Sequence, residues 1–284
     1  MRIVNQRNRL GLLTSTGVLD VEQASAGLFS ADVQSIYPRW TEFRAWAADA
    51  PQRSTKPLDP DTLGAPAPKP GQVFAIGLNY RGHALETGIE LPDTPMVFTK
   101  FPASVTGPVG NVELPSNSVD FEAEVVAVIG QTARHIKPED GWNYVAGLTA
   151  GQDLSEREVQ LKPPAPQQYN LGKSFAGFAP IGPILATPDE FADPDDLEVG
   201  CILCGEQMQK ARTSDLIFSI PQIIAYLSAI LPLSPGDLIF SGTPAGIGWS
   251  RNPRRLITKH DELVTHVEGI GEMRHHFTTA PAHR

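Results

Sequence analysis

Residues 120–130, Asp-Phe-Glu-Ala-Glu-Val-Val-Ala-Val-Ile-Gly, constrain this chain more than any other stretch. Their β-branched and apolar content, closed by Gly130, predicts a buried strand. Strand side chains alternate faces, so Asp120, Glu122, Glu124, Val126 and Val128 share one face. Phe121, Ala123, Val125, Ala127 and Ile129 share the other. Consecutive carboxylates on that face stand roughly 7 Å apart at the Cα. Like charges this close need protons or a cation to neutralise them. Carboxylate oxygens suit a hard divalent ion, Mg²⁺, Mn²⁺ or Ca²⁺. The competing reading is an edge strand with one solvated acidic face.

Composition narrows the partners. The net charge is −9 and no Lys/Arg run occurs, which argues against nucleic acid and anionic membrane surfaces. The chain does not open on a basic segment followed by an apolar one, so a cytoplasmic location is expected. The longest apolar stretch, residues 216–233, is interrupted by Pro221, Gln222, Ser228 and Pro232 and does not read as a membrane span. Ser219 ahead of Pro221 instead predicts the start of a buried helix over 221–230. Cys201 and Cys204 lack the further ligands of a zinc site, and residues 197–204 read as a strand. Two reduced, partly buried thiols are expected.

In chain order, residues 1–64 carry short strand-like pieces and a helical stretch near 40–48, and are expected to form a small N-terminal domain. The Pro-rich segment 65–71 reads as a stiff linker, residues 72–278 as the catalytic domain, and 279–284 as a tail. After a short strand at 73–76, His83 and Glu86 stand i, i+3, neighbours on a helix and a possible general base with its orienting acid. A surface His beside a surface Glu has the same spacing. Asp153, Arg157 and Gln160 would share a helical face suited to an anionic substrate, although Asp153 could equally cap a helix. Lys173 sits between glycines in a loop. Residues 234–248 read as turn, strand and Gly-rich loop, matching neither a phosphate-binding loop nor a dinucleotide fingerprint. Residues 262–267 and 273–277 read as closing strands, with His275 and His276 expected to be exposed.

Taken in order, these motifs resemble the fumarylacetoacetate hydrolase family, in its bacterial acylpyruvase-like branch, over residues 72–277. The resemblance rests on Gly77-Leu-Asn-Tyr-x-x-His83, Asp120-Phe-Glu-x-Glu124, Asp153-Leu-Ser-x-Arg-x-x-Gln160, Gly172-Lys-Ser-Phe175 and Gly236-Asp-x-Ile-x-x-Gly-Thr-Pro-x-Gly246. It implies a mixed, β-rich α/β roll with a small N-terminal domain, assembled as a homodimer. It also implies that Glu122, Glu124 and Asp153 bind Mg²⁺ or Mn²⁺ (Ca²⁺ would also fit), with Asp120 in second place as a ligand. By the same resemblance His83 and Glu86 form a catalytic dyad on a mobile lid, Lys173 works beside the metal, and Arg157, Gln160 and Thr243 contact substrate. Gly82, Gln152 and His260-Asp261 depart from the family pattern near these positions.

The expected activity is metal-dependent hydrolysis of a C–C bond in an acylpyruvate or related 2,4-dioxo acid, giving pyruvate and a carboxylic acid. The alternative is decarboxylation of oxaloacetate, or isomerisation of an unsaturated 2-oxo acid, at the same metal-enolate site. A non-catalytic binding protein would not need the dyad and ligands that are all present. A serine hydrolase would need a G-x-S-x-G turn, which is missing.

Overall fold

The computed structural model describes residues 1–50, 55–88, 90–163 and 168–279. The tail expected at 279–284 lies outside these residues apart from Thr279. In chain order the larger elements are strands β1 (Arg2–Gln6), β2 (Arg9–Thr14) and β3 (Gly17–Asp20), helix α1 (Trp40–Ala48), β4 (Val73–Gly77), α2 (Arg81–Thr87), β5 (Met96–Thr99), β6 (Val109–Leu114) and β7 (Ala123–Ile129). There follow β8 (Val145–Gln152), α3 (Arg157–Leu161), α4 (Tyr169–Gly172), β9 (Ala179–Ala186), β10 (Glu198–Leu203), β11 (Glu206–Arg212), α5 (Ile220–Ile230), β12 (Leu238–Phe240), β13 (Glu262–Val267) and β14 (Gly271–Thr279). The fold is mixed α/β and rich in strands.

One large open sheet runs in the order β3-β2-β1-β9-β8-β7-β12-β4-β5. A second runs β11-β10-β13-β14-β6. The acidic segment is not an edge: β7 lies inside the large sheet, between β8 and β12. Its alternation separates two hydrophobic cores. Val125, Ala127 and Ile129 join the core under the second sheet and α5, while Val126 and Val128 join the core built with Trp40, Phe43 and the first strands. Burial on both faces leaves no solvated side to the strand.

The expected single strand over 120–130 is broken. Val119–Asp120 pairs with Ser155–Glu156, and β7 begins only at Ala123. At the break, side chains replace ladder partners: Glu122 N–H donates to Gln152 Oε1 and Ala123 N–H to Gln209 Oε1, each at 2.8 Å. The backbone donors stay satisfied while the chain turns Glu122 toward the site.

Strands β1 to β3 extend the large sheet through β1–β9 pairing, so these N-terminal strands share a sheet with the strands that follow. The Pro-rich segment packs along this region: Ala65 O accepts from Asn5, Pro66 O from Tyr37, and Ala67 is fully buried. Helix α5 starts as its sequence predicts, with Ser219 N–H bound to Gln222 Oε1 at 2.8 Å. Cys201 is buried and Cys204 exposed, and both are free thiols. A second expectation is overturned. His275 is buried, because β14 pairs with β6 and its Nε2 reaches Gly107 O at 3.0 Å; His276 faces outward.

Candidate active site

Glu122, Glu124 and Asp153 converge, each offering an oxygen within 4.8 Å of the others, and all three are buried. The β7–β8 hairpin creates this arrangement. Ala123 pairs with Gln152, and Asp153 N–H donates to Glu122 O at 2.9 Å, so the third acid lands beside the first. The donor set is all hard oxygen, which suits a divalent cation. Its electrostatics point the same way. Burial and the neighbouring Asp153 and Glu122 push the Glu124 carboxyl well above its usual range, a demand for positive charge that a cation would meet. One Glu124 oxygen accepts the Gly242 N–H at 2.7 Å.

Three cations surround the triad. Lys173 Nζ lies 2.8 Å from Glu122 Oε2 and 2.5 Å from Asp153 Oδ2, and 4.9 Å above the Phe98 ring. Burial opposes its charge, but Asp153 and Glu122 outweigh burial and hold the ammonium protonated. Arg157 reaches Glu122 Oε1 at 2.7 Å, Asp120 Oδ2 through Nε and Nη2 at 3.0 and 2.7 Å, and Gln160 Oε1 at 2.9 Å. Burial raises the Glu122 pKa, yet Lys173 and Arg157 overcome it and leave this carboxyl well below its usual range. Lys100 Nζ contacts the other oxygen of Asp153 at 2.5 Å.

Asp120 stands apart from the triad. Besides Arg157 it accepts the backbone N–H groups of Gly248 and Trp249 at 2.8 and 3.0 Å. A Cβ on Gly248 would fall 2.7 Å from Asp120 Oδ1 and 2.0 Å from Arg255 O, so glycine is required for this approach. Asp120 thus ties Arg157 to the Gly-rich loop, consistent with its second place among candidate ligands.

The same loop receives α2. His83 Nδ1 lies 3.2 Å from Glu86 Oε2, and both Glu86 oxygens accept the Gly246 N–H at 3.1 and 3.2 Å. Thr243 Oγ1 donates to Ala123 O at 3.0 Å and accepts from Gln209 Nε2 at 2.9 Å. Gln209 therefore joins the start of β7 to the loop. His83 and Thr243 open onto a cavity of about 170 Å³. Its polar lining includes His83, Glu122, Arg157, Gln160, Lys173 and Thr243, and its apolar lining Leu78, Met96, Phe98, Tyr169, Ile247 and Trp249.

The fumarylacetoacetate hydrolase C-terminal family model matches residues 72–278. The chain belongs to this family. It is 39% identical over 261 residues to the oxaloacetate tautomerase Fahd2a of Rattus norvegicus, a mitochondrial protein, covering 90% of this chain and 82% of the relative. Its structure resembles that of an HpcE-like protein of Mycobacterium smegmatis with a TM-score of 0.95 and 50% identity, covering 99% and 100% of the two chains. It also resembles the maleylpyruvate hydrolase of Sphingobium sp. SYK-6, solved with manganese(II) and pyruvate, with a TM-score of 0.78, 25% identity and coverage of 99% and 100%. Among the described residues, no helix is long and apolar enough to cross a membrane.

All nine candidate residues of this family member gather around one region, and Arg157 lines the cavity there while also making internal bonds. Its guanidinium is committed to Asp120, Glu122 and Gln160. Thr243 likewise spends its hydroxyl on Ala123 and Gln209. Sequence reasoning missed Lys100 and Gln209. Lys100 directly follows β5 and Gln209 lies within β11, and no local pattern marks either.

Proposed function

We propose that this chain is a divalent-metal-dependent enzyme that acts on a 2-oxo acid through its enolate, with oxaloacetate tautomerisation as its leading activity. The observation that carries this reading is that His83, Glu122 and Lys173 line one cavity, with Glu124 and Asp153 converging on Glu122 and Glu86 held against His83. The sequence-level expectation put C–C hydrolysis first. The 39% identity to an oxaloacetate tautomerase over 90% of the chain supports putting proton transfer first instead.

Glu122, Glu124 and Asp153 would hold the cation, Mg²⁺ or Mn²⁺. When bound, it supplies Lewis-acid polarisation of the 2-oxo acid group. Glu86 accepts from Nδ1 of His83, which fixes the tautomer and makes Nε2 the atom that would exchange a proton. His83 would take the proton from C3, and the C–H electron pair would become the enolate double bond. Lys173 would hydrogen-bond to the negative oxygen as it forms. Delivery of the proton to that oxygen gives the enol and restores neutral imidazole. Arg157 would act by keeping Gln160 and Glu122 in place beside the substrate.

A second reading keeps the expected hydrolysis. There His83 would deprotonate a water that attacks the distal carbonyl of an acylpyruvate, and C–C cleavage would release a carboxylic acid and pyruvate enolate. The likeness to a maleylpyruvate hydrolase favours keeping it. Assembly as a homodimer in the cytoplasm belongs to the same proposal, and a monomer by light scattering would count against it.

An ultraviolet assay of enol oxaloacetate, run with Mn²⁺ and again with EDTA, tests the leading reading. Acetylpyruvate and fumarylpyruvate are assayed in parallel for pyruvate release. Metal-dependent enol–keto exchange without pyruvate formation supports tautomerisation. Metal-dependent pyruvate release from a dioxo acid, with no exchange on oxaloacetate, moves the function to hydrolysis.

A further inference from the structure

Lys100 follows β5 and is fully buried, and it does not line the cavity. Its Nζ has three acceptors: Asp153 Oδ1 at 2.5 Å, Leu154 O at 3.4 Å and the main-chain O of Lys173. Burial lowers its pKa, and Asp153 offsets that only in part. The geometry decides the protonation state. Three acceptors call for three N–H donors, and only the ammonium has three.

Asp153 therefore has a lysine on each oxygen, Lys100 on Oδ1 and Lys173 on Oδ2. The two differ in what they can do. Lys173 also reaches Glu122 and the cavity, where an incoming cation and substrate would meet it. Lys100 is enclosed, and its remaining bonds are to main-chain carbonyls that flank Asp153 and carry Lys173. Those bonds are to main-chain oxygens outside the acidic triad.

We propose that Lys100 is a positioning residue, a permanent counter-cation that keeps Asp153 and Lys173 assembled before a divalent ion enters and moderates how tightly that ion is held. The proposal rests on reading the triad as a metal site. Four carboxylates, Asp120, Glu122, Glu124 and Asp153, face three cations, Lys100, Arg157 and Lys173. A divalent ion would exceed that charge balance, and the nearby fixed ammonium would repel it. Such repulsion favours release over permanent capture.

The test is Mn²⁺ binding to the full-length protein, measured by titration calorimetry and by the electron paramagnetic resonance signal of free Mn²⁺. Wild type is compared with Lys100→Met, which matches the length of the stem, and Lys100→Gln, which retains a donor for Asp153. Both variants should melt at lower temperature than wild type without metal. Both should bind Mn²⁺ about tenfold or more tightly, with saturating Mn²⁺ narrowing the melting gap. A merely structural lysine would lower the melting point without tightening metal binding. Unchanged or weaker Mn²⁺ affinity in either folded variant overturns the proposal. So does failure of both variants to fold at saturating Mn²⁺, because the ion should replace the missing charge. Absence of Mn²⁺ binding by wild type would instead overturn the metal reading, and this proposal with it.

Discussion

Both carboxylate oxygens of Glu86 accept the backbone N–H of Gly246, at 3.1 and 3.2 Å, while Oε2 also meets His83 Nδ1 at 3.2 Å. One acid orients the candidate base and docks its helix on the Gly-rich loop. Gly246 has φ +104°, and a Cβ there would stand 2.2 Å from Met208 O, so the docking N–H depends on glycine. Glu86→Ala should lower kcat by roughly 10²-fold or more, as for loss of a general base's orientation. Its Mn²⁺ affinity should remain that of wild type. His83→Ala should do the same; normal turnover in either variant would remove the dyad from the mechanism.

Glu124→Gln separates metal binding from folding. A buried glutamate with a raised pKa disfavours the folded state at neutral pH, because the unfolded chain ionises more readily. Glutamine removes that cost and can still accept the Gly242 N–H. The metal-free variant should therefore melt at or above the wild-type temperature. In wild type, Mn²⁺ at about a hundred times its Kd should add roughly 3 kcal/mol, reversed by EDTA. The variant should lose that gain, and differential scanning calorimetry with and without Mn²⁺ checks both signs.

Arg157→Met should cost about 3–5 kcal/mol in urea unfolding, because it strands the buried Asp120 carboxylate and leaves Glu122 with Lys173 as its one remaining counter-charge. Asp120 would keep the Gly248 and Trp249 donors but lose its counter-charge. Adding Asp120→Asn should recover part of the loss, since the asparagine has no charge to leave unpaired. If the double variant is no more stable than Arg157→Met, the pair is not what holds this corner together.

His275 gives the fold an acid-side sensitivity. Burial lowers its pKa from 6.5 to about 4, so the folded protein holds it neutral while the unfolded chain protonates near 6.5. Its contribution is present above pH 6.5 and is lost as pH falls toward 4. The full loss is about 3 kcal/mol for a shift of this size. His275→Gln should flatten the stability profile between pH 7 and 4, measured by urea midpoints. An unchanged slope would place the sensitivity elsewhere.

Much of the site was legible along the chain. Period-two alternation around Glu122 and Glu124 determined which side chains share a face, because strand geometry is local. The i, i+3 spacing of His83 and Glu86 likewise determined that they could meet on a helix, and the motifs in their order identified the family. The tertiary structure decided the rest. Lys100, just after β5, and Gln209, in β11, are far along the chain from the groups they meet, and local periodicity does not say which remote polar group will satisfy a buried acceptor or donor. The break at Phe121 and Glu122 exists because Gln152 and Gln209 replace ladder partners that only the folded sheet brings near. His275 carries no local mark of burial; its pairing partner β6 lies more than a hundred residues earlier in the chain. Sequence alone determined faces and spacings, since these depend on neighbouring residues. Which charges oppose one another, and which are shut away from water, depended on long-range strand pairing.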